Sequence, residues 1–296
     1  MADSAIVVFG EVLFDRFSDG HQVLGGAPFN VAWHLQAFQQ APLFISRIGA
    51  DTGGDQVVAA MSDWGLSQQA LQRDQQHPTG AVQIEMVDAE PHYQILPEQA
   101  YDFIDADALP FVSCGWLYHG SLALRQAQSR QALAKLRSQH AGKVLVDINL
   151  RAPWWDPEIL EWLLDGADWL KLNQAELIAL AITGARLQDQ LQTLLSRYSL
   201  TGIILTAGEQ GASIYTDEGE FFTVQPADRL AVIDSVGAGD AFTAVFLLGL
   251  LEGWSYPLSL QRAQQFASAL VMQRGATVAD KEFYAAFLKE WNQTKA

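Results

Sequence analysis

The longest apolar stretch of the chain, residues 241–251, presents non-polar side chains on every side of a helical wheel, which predicts a helix buried in the core. The remaining hydrophobic runs are shorter. Residues 5–9 and 43–48 are continuous and of strand length, as buried strands are. Val31, Ala32, Leu35 and Phe38 recur at helical spacing behind Pro28, which suits a first helical position, and a second helix over residues 55–64 stops at Gly65, a fitting residue past a helix end. Val12, Phe14 and Phe17, followed by Ser18-Asp19-Gly20, predict a hairpin turning at the Asp-Gly pair. Between residues 71 and 104 the pattern turns polar and β-rich, with two or three short strands. From Cys114 onward strands at 116–119, 144–148, 169–172 and 203–206 alternate with helices that include 126–140 and 157–164. Hairpin strands at 212–215 and 220–224 and helices at 258–274 and 281–291 complete the chain. Such alternation implies βαβ units and a mostly parallel sheet with ligands at the carboxyl ends of its strands.

With 296 residues and 49% hydrophobic content, the chain carries enough apolar surface for a large α/β core, and no repeat, low-complexity tract or linker divides it. A formal net charge of -16 argues against a phosphate-backbone binder, so no nucleic-acid partner is expected, and an anionic nucleotide needs local positive help. Cys114 is the single cysteine and no Cys/His zinc spacing occurs, which fits a reducing cytoplasm. The apolar run at 5–9 follows Asp3 and is stopped by Glu11, a poor signal peptide; the run at 241–251 is too short to span a bilayer and is bracketed by Asp240 and Glu252. A soluble cytoplasmic protein without a membrane partner is expected.

Chemistry concentrates at Asp234-Ser235-Val236-Gly237-Ala238-Gly239-Asp240. Gly237 and Gly239 let the backbone approach a bound group, and the first turn of the following helix offers unpaired N–H groups for an anion. Asp240 beside such a pocket repels the anion unless it takes a proton from an attacking hydroxyl. The competing explanation is plain helix capping, with an acidic first-turn residue stabilised by the dipole. Asp15 sits among apolar neighbours, where an outward residue of an alternating strand also fits. Arg151, after Asp147-Ile148-Asn149-Leu150, is a cation for a nucleotide or product phosphate or a surface ion-pair partner. Asn173 and Glu176 have capping-box spacing, which needs no ligand, and Thr206, Gly208 and Gly211 form a turn of low specificity.

Asp234 to Asp240 resembles the C-terminal signature of the ribokinase-like (PfkB) sugar kinases, Asp-Thr-x-Gly-Ala-Gly-Asp, with Ser235 for the usual Thr. Gly25-Gly26-Ala27-Pro28-Phe29-Asn30 is similar to the N-terminal signature, and Gly49 to Gly54, Asn173-x-x-Glu176 and Thr206-x-Gly208-x-x-Gly211 follow in the family's order. The resemblance spans Gly10 to Ala276. It implies one ribokinase-like domain over residues 1–296, a three-layer α/β/α fold with a small β lid from about residues 11–25 and 75–105. It implies Asp240 as general base, the amides of Gly237, Ala238 and Gly239 as anion hole, and Asp15, Gly26 and Asn30 on the sugar. ATP would lie against Arg151, Asn173, Glu176, Thr206, Gly208, Gly211 and Gln264, with Glu176 ordering waters on Mg2+. A monovalent cation, K+, would take backbone carbonyls of Asp234, Val236 and the Gly275-Ala276 turn, although Thr277-Val278-Ala279 departs from the Ser or Pro common there. Gly-Gly-Ala-Pro-x-Asn-Val-Ala and Lys171-Leu172-Asn173 look most like fructokinases, with ribose, 2-keto-3-deoxygluconate and nucleosides as alternative acceptors and a homodimer through exposed lid edges expected. Neither the P-loop motif nor the protein-kinase landmarks occur. The NAD fingerprint is missing after the first strand, since Phe9-Gly10-Glu11-Val12 offers a single Gly. A non-catalytic sugar binder of the same fold is the remaining class, and it has no use for a base at Asp240.

Overall fold

The computed structural model describes residues 2–3, 5–87, 90–139, 142–226 and 231–293. In the strand Ile6–Phe9 every residue is buried, but Ile6 and Val8 belong to one core cluster and Val7 and Phe9 to another. This is the two-residue period of a strand whose sheet is covered on both faces. Over the described residues that sheet has nine strands. Their order is Phe221–Val224, Ala212–Thr216, Gly202–Thr206, Trp169–Asn173, Lys143–Asp147, Trp116–His119, Ile6–Phe9, Leu43–Gly49 and Leu71–Asp74. From Gly202–Thr206 to Leu71–Asp74 the pairing is parallel, and Ala212–Thr216 runs antiparallel.

Helices Ala27–Ala37, Thr52–Trp64, Ala238–Leu251, Tyr256–Leu270 and Lys281–Gln293 pack on the face that carries Ile6 and Val8. Ala127–Gln139, Pro157–Leu164, Gln174–Ala179 and Leu187–Tyr198 cover the other, giving three α/β/α layers. Connections run outward in both directions from the adjacent strands Ile6–Phe9 and Trp116–His119. A crevice for ligands therefore opens at the carboxyl ends of that pair. A separate four-stranded sheet, ordered Gln22–Gly25, Leu13–Phe17, Gly80–Val87 and Glu90–Ile95, leaves the large sheet at this end. Its Leu13, Val82 and Ile84 pack on Tyr101, Leu122 and Ala123. Among the described residues no helix is long and apolar enough to cross a membrane.

Several boundaries differ from the sequence expectation for local reasons. The helix predicted from residue 55 starts at Thr52, because the Asp51 carboxylate accepts the N–H of Gly54 at 2.8 Å and caps it across the glycine pair. The helix predicted from 241 starts at Ala238, behind Gly237. The helix predicted to reach 274 ends at Leu270, and the carbonyl of Val271 accepts N–H groups of Ile233 and Asp234. Leu71–Asp74 joins the edge of the large sheet through Ser46 to Gly49, and Tyr101 lies in a short 3-10 helix, Ala100–Phe103, so neither belongs to the small sheet. His140, expected to end a helix, and residues 88–89 of the expected lid lie outside the described residues.

Candidate active site

The helix Ala238–Leu251 begins where Gly237 adopts φ 77°, a left-handed conformation, and any Cβ there would collide with Ala276. Behind it the Ala238 N–H donates to the Ser235 carbonyl at 3.3 Å, which leaves the N–H groups of Gly239 and Asp240 in the first turn as anion donors. Ala238 and Gly239 line a cavity of about 710 Å³ together with Thr206, Gly208, Gly211 and Gln264. Phe242 and Val271 give it an apolar wall. Asp240, the next residue, is engaged elsewhere: its Oδ2 accepts a hydrogen bond from Asn30 Nδ2 at 2.8 Å. Burial pushes the Asp240 carboxyl up to about 6; the Asn30 hydrogen bond opposes this, the Asp147 charge adds to it, and Lys171 and Arg151 oppose it.

Beneath this helix end lies a buried ion pair. Lys171 Nζ donates to Asp147 Oδ1 at 3.1 Å and Oδ2 at 2.9 Å, and Asp147 has 0% exposure. Burial pulls the Lys171 ammonium down, but the Asp147 charge and hydrogen bonds outweigh it and its pKa is raised. A Cβ built on Gly239 would sit 3.3 Å from Lys171 Nζ, so the ammonium touches the first turn of the helix. One turn deeper, Thr243 Oγ1 donates to the Gly239 carbonyl at 2.8 Å and approaches Asp147 Oδ2 at 3.4 Å. Sequence reasoning gave neither Lys171 nor Asp147 a place in the site. The available signal was a lysine inside the apolar run Trp169-Leu170-Lys171-Leu172, since a charge in a buried strand demands a partner.

On the side of Asp240 away from the cavity, Gly26 caps the helix Ala27–Ala37 at φ 110°, and a Cβ there would lie 2.8 Å from the Glu11 carbonyl oxygen. Asn30 projects from the first turn of that helix. Asp15 lies on Leu13–Phe17 of the small sheet, where burial pushes its carboxyl up to about 6 against the Arg151 charge. Arg151 is exposed, donates to the Leu150 carbonyl at 3.1 Å, and among the described residues has no ion-pair partner. It does not line the 710 Å³ cavity; its charge acts on Asp15, Asp240 and Glu11. Glu11 is a further site residue that the sequence showed only as the end of a strand. It is 2% exposed, and burial pushes its carboxyl up to about 7, opposed by backbone hydrogen bonds at Glu11 and Ala123 and by Arg151, with Asp240 adding to the rise.

Asn173 and Glu176 form the expected capping box: Asn173 Oδ1 accepts the Glu176 N–H at 2.9 Å, and Glu176 Oε2 accepts the Asn173 N–H at 2.8 Å. Glu176 Oε1 also accepts the Leu150 N–H at 2.8 Å, and burial, with Asp147 adding to it, raises the pKa of the carboxyl. With both oxygens so engaged, and no metal-binding group of three or more acidic, His or Cys side chains among the described residues, a divalent ion fits here through water and phosphate oxygens. Asp234 joins the two turns that a monovalent cation would share, accepting the N–H of Val236 and of Gly275, each at 3.0 Å. The Ala276 carbonyl is 3.1 Å from His34 Nε2.

The pfkB family carbohydrate kinase model matches residues 4–282. The chain is 30% identical to the fructokinase of Escherichia coli, over 82% of this chain and 83% of that protein. It is 28% identical to the aminoimidazole riboside kinase of Salmonella typhimurium, over 86% of this chain and 84% of that protein. Among solved structures, a fructokinase from Vibrio cholerae in a fructose, ADP and calcium ion bound form superposes with a TM-score of 0.80 at 26% identity, over 97% of this chain and 100% of that one.

Proposed function

This chain is a carbohydrate kinase of the pfkB family, and we propose that it transfers the γ-phosphoryl group of Mg·ATP to a hydroxyl of a small sugar, with fructose as its acceptor. One observation carries the reading. Successive residues of a single helical turn are engaged differently: Ala238 and Gly239 line a nucleotide-sized cavity, and Asp240, which does not line it, accepts a hydrogen bond from Asn30. A phosphoryl group at the tip of the nucleotide and a hydroxyl beside Asn30 then meet over the same N–H groups.

In this mechanism Asp240 accepts the proton of the acceptor hydroxyl as its oxygen bonds to the γ-phosphorus and the bond to the bridging oxygen of ADP breaks. The amides of Gly237 to Asp240 hold the charge that develops on the equatorial oxygens, and Lys171 supports them from below. The raised basicity of the Asp240 carboxylate suits a base that works near neutral pH. When bound, Mg2+ supplies charge neutralisation on the phosphates, and Glu176 would hold it through water. Arg151, whose charge reaches Asp240, would hold the transferred phosphate. Thr206, Gly208, Gly211 and Gln264 bind the rest of the nucleotide, and Asp15, Gly26 and Asn30 bind the sugar.

Fructose as acceptor is supported by the fructokinase relatives. The aminoimidazole riboside kinase relative supports a riboside as second reading. A coupled ADP-release assay over fructose, ribose, tagatose, 2-keto-3-deoxygluconate and a nucleoside tests both. Fructose should give the highest kcat/KM. ADP release that no acceptor raises above the rate with ATP alone would overturn the kinase reading in favour of a sugar binder.

A further inference from the structure

Two buried oxygens beside Asp240 have no hydrogen-bond partner among the described residues: Glu11 Oε2 and Asn30 Oδ1. Both residues are nearly sealed from solvent, at 2% and 4% exposure. A buried acceptor left without a donor destabilises the folded chain, so a site that keeps two of them is built to receive donors from a ligand. Glu11 is well fixed for that task. Its carboxyl is held by backbone hydrogen bonds at Glu11 and Ala123, and its own carbonyl packs against Gly26 at the head of the helix that carries Asn30. The Asn30 amide is already committed to Asp240, which leaves its oxygen as the free atom.

The charges around these atoms narrow the ligand. Asp15, Glu11 and Asp240 are acceptors only when ionised, and the cation whose field reaches all three is Arg151. Arg125, which also interacts with Glu11, holds Asp102 through Nε and Nη2 at 2.6 and 2.7 Å, while its buried Nη1 has no hydrogen-bond partner among the described residues. A neutral polyol brings several O–H donors to this ring of acceptors. A sugar acid brings a carboxylate, which offers no donor to these oxygens and meets three carboxyl groups against the one guanidinium of Arg151.

We propose that Glu11 is a sugar-binding and specificity-determining residue whose free Oε2 accepts an acceptor hydroxyl, and that the acceptor ring it completes selects neutral sugars over sugar acids. This rests on the reading of the Asp240 neighbourhood as the sugar site.

The test compares wild type, Glu11→Gln and Glu11→Leu with fructose and 2-keto-3-deoxygluconate, by steady-state ADP release and by binding calorimetry. Wild type should favour fructose by about a hundredfold or more in kcat/KM, as expected when a buried polar site loses its partners. Glu11→Gln should raise the fructose KM several-fold to about tenfold, and Glu11→Leu further, with the ATP KM nearly unchanged. The preference over the sugar acid should shrink in both. An unchanged fructose KM with the preference intact, in a variant that melts as a folded protein, overturns the role of Glu11. Wild type that handles the sugar acid as well as fructose overturns the selection of neutral sugars while the kinase reading stands. Should ADP release fail with every acceptor, the same contrast in calorimetric affinity still decides the proposal.

Discussion

Replacing Asp240 by Asn separates what the carboxylate does for turnover from what it costs the fold. In the folded chain the group titrates at about 6 against an ordinary 3.8, chiefly because it is buried. Holding it ionised at neutral pH therefore costs up to about 3 kcal/mol, and because some of its surface meets the solvent of the cleft, roughly 1–3 kcal/mol is the expected figure. The sign follows from proton binding. The folded state holds the proton more tightly than the unfolded chain, so stability is lost as pH rises from the ordinary value through about 6. Asn carries no charge and keeps nearly the same shape beside Asn30. Asp240→Asn should thus be more stable than wild type at neutral pH, by a few degrees in Tm for a chain of this size, and the gain should fade towards pH 4, about where the free carboxyl titrates. Turnover should fall by about 10²- to 10⁴-fold with nucleotide binding retained. The acid limb of the wild-type kcat profile should disappear. Thermal melts between pH 4 and 8, run beside the ADP-release assay, read both effects. Wild-type turnover would refute the base assignment, and a variant less stable than wild type at neutral pH would refute the claim that the fold holds this charge at a cost.

Lys171→Met leaves Asp147 buried without its counter-charge and should cost about 3–5 kcal/mol, a fall on the order of 10 °C in Tm. Adding Asp147→Asn should recover most of that stability but not turnover; recovery of both in melts and ADP release would reduce the pair to a structural role. Gly26→Ala forces a Cβ to within 2.8 Å of the Glu11 carbonyl at φ 110°. The strain should cost about 1–3 kcal/mol and raise the sugar KM more than the ATP KM, because the displaced residue heads the helix that carries Asn30; an unchanged melt and sugar KM would contradict this.

The large sheet was legible because strands covered on both faces have apolar runs, as in Ile6–Phe9 and residues 203–205, that stand out between helical spacings. Helix starts in glycine-rich stretches were not. Asp51 caps across Gly53-Gly54, a local cap that the glycine pair obscures, and Gly237 turns against Ala276, a contact that no local pattern shows. In the candidate site, the residues themselves pointed to Asp240 and to Gly237 and Gly239, a carboxylate and glycines at one helix start, whereas Gly26 and Asn30 read as ordinary helix-start chemistry and entered through the family resemblance. Glu11 and Lys171 were not legible, because a charge at a strand end reads as a boundary and one within a strand as a stray. Their meaning comes from Asp240 and Asp147, which only the folded sheet brings near. Residues 71–74 read as β without a partner: the β pattern is the same whether a strand pairs with the small sheet or the edge of the large one, and residues 46–49 decide it.

An acidic chain that handles polyphosphate faces a difficulty, since its net charge of -16 repels the nucleotide. The geometry of the buried pair meets it locally. Lys171 Nζ lies against Gly239 in the first turn, while Asp147 approaches Thr243 one turn deeper. The pair thus forms a short dipole whose positive end points the same way as that of the helix above it. Its net charge is zero, so it adds nothing to the overall repulsion, yet the helix start that lines the cavity has an ammonium directly beneath it. A surface lysine in that place would be screened by solvent and salt, whereas a buried one keeps its field. The same arrangement bears on the base role proposed for Asp240: the Lys171 and Arg151 charges oppose the rise that burial causes, and a carboxyl at about 6 would be both basic enough to take a proton and ionised enough to do so at neutral pH.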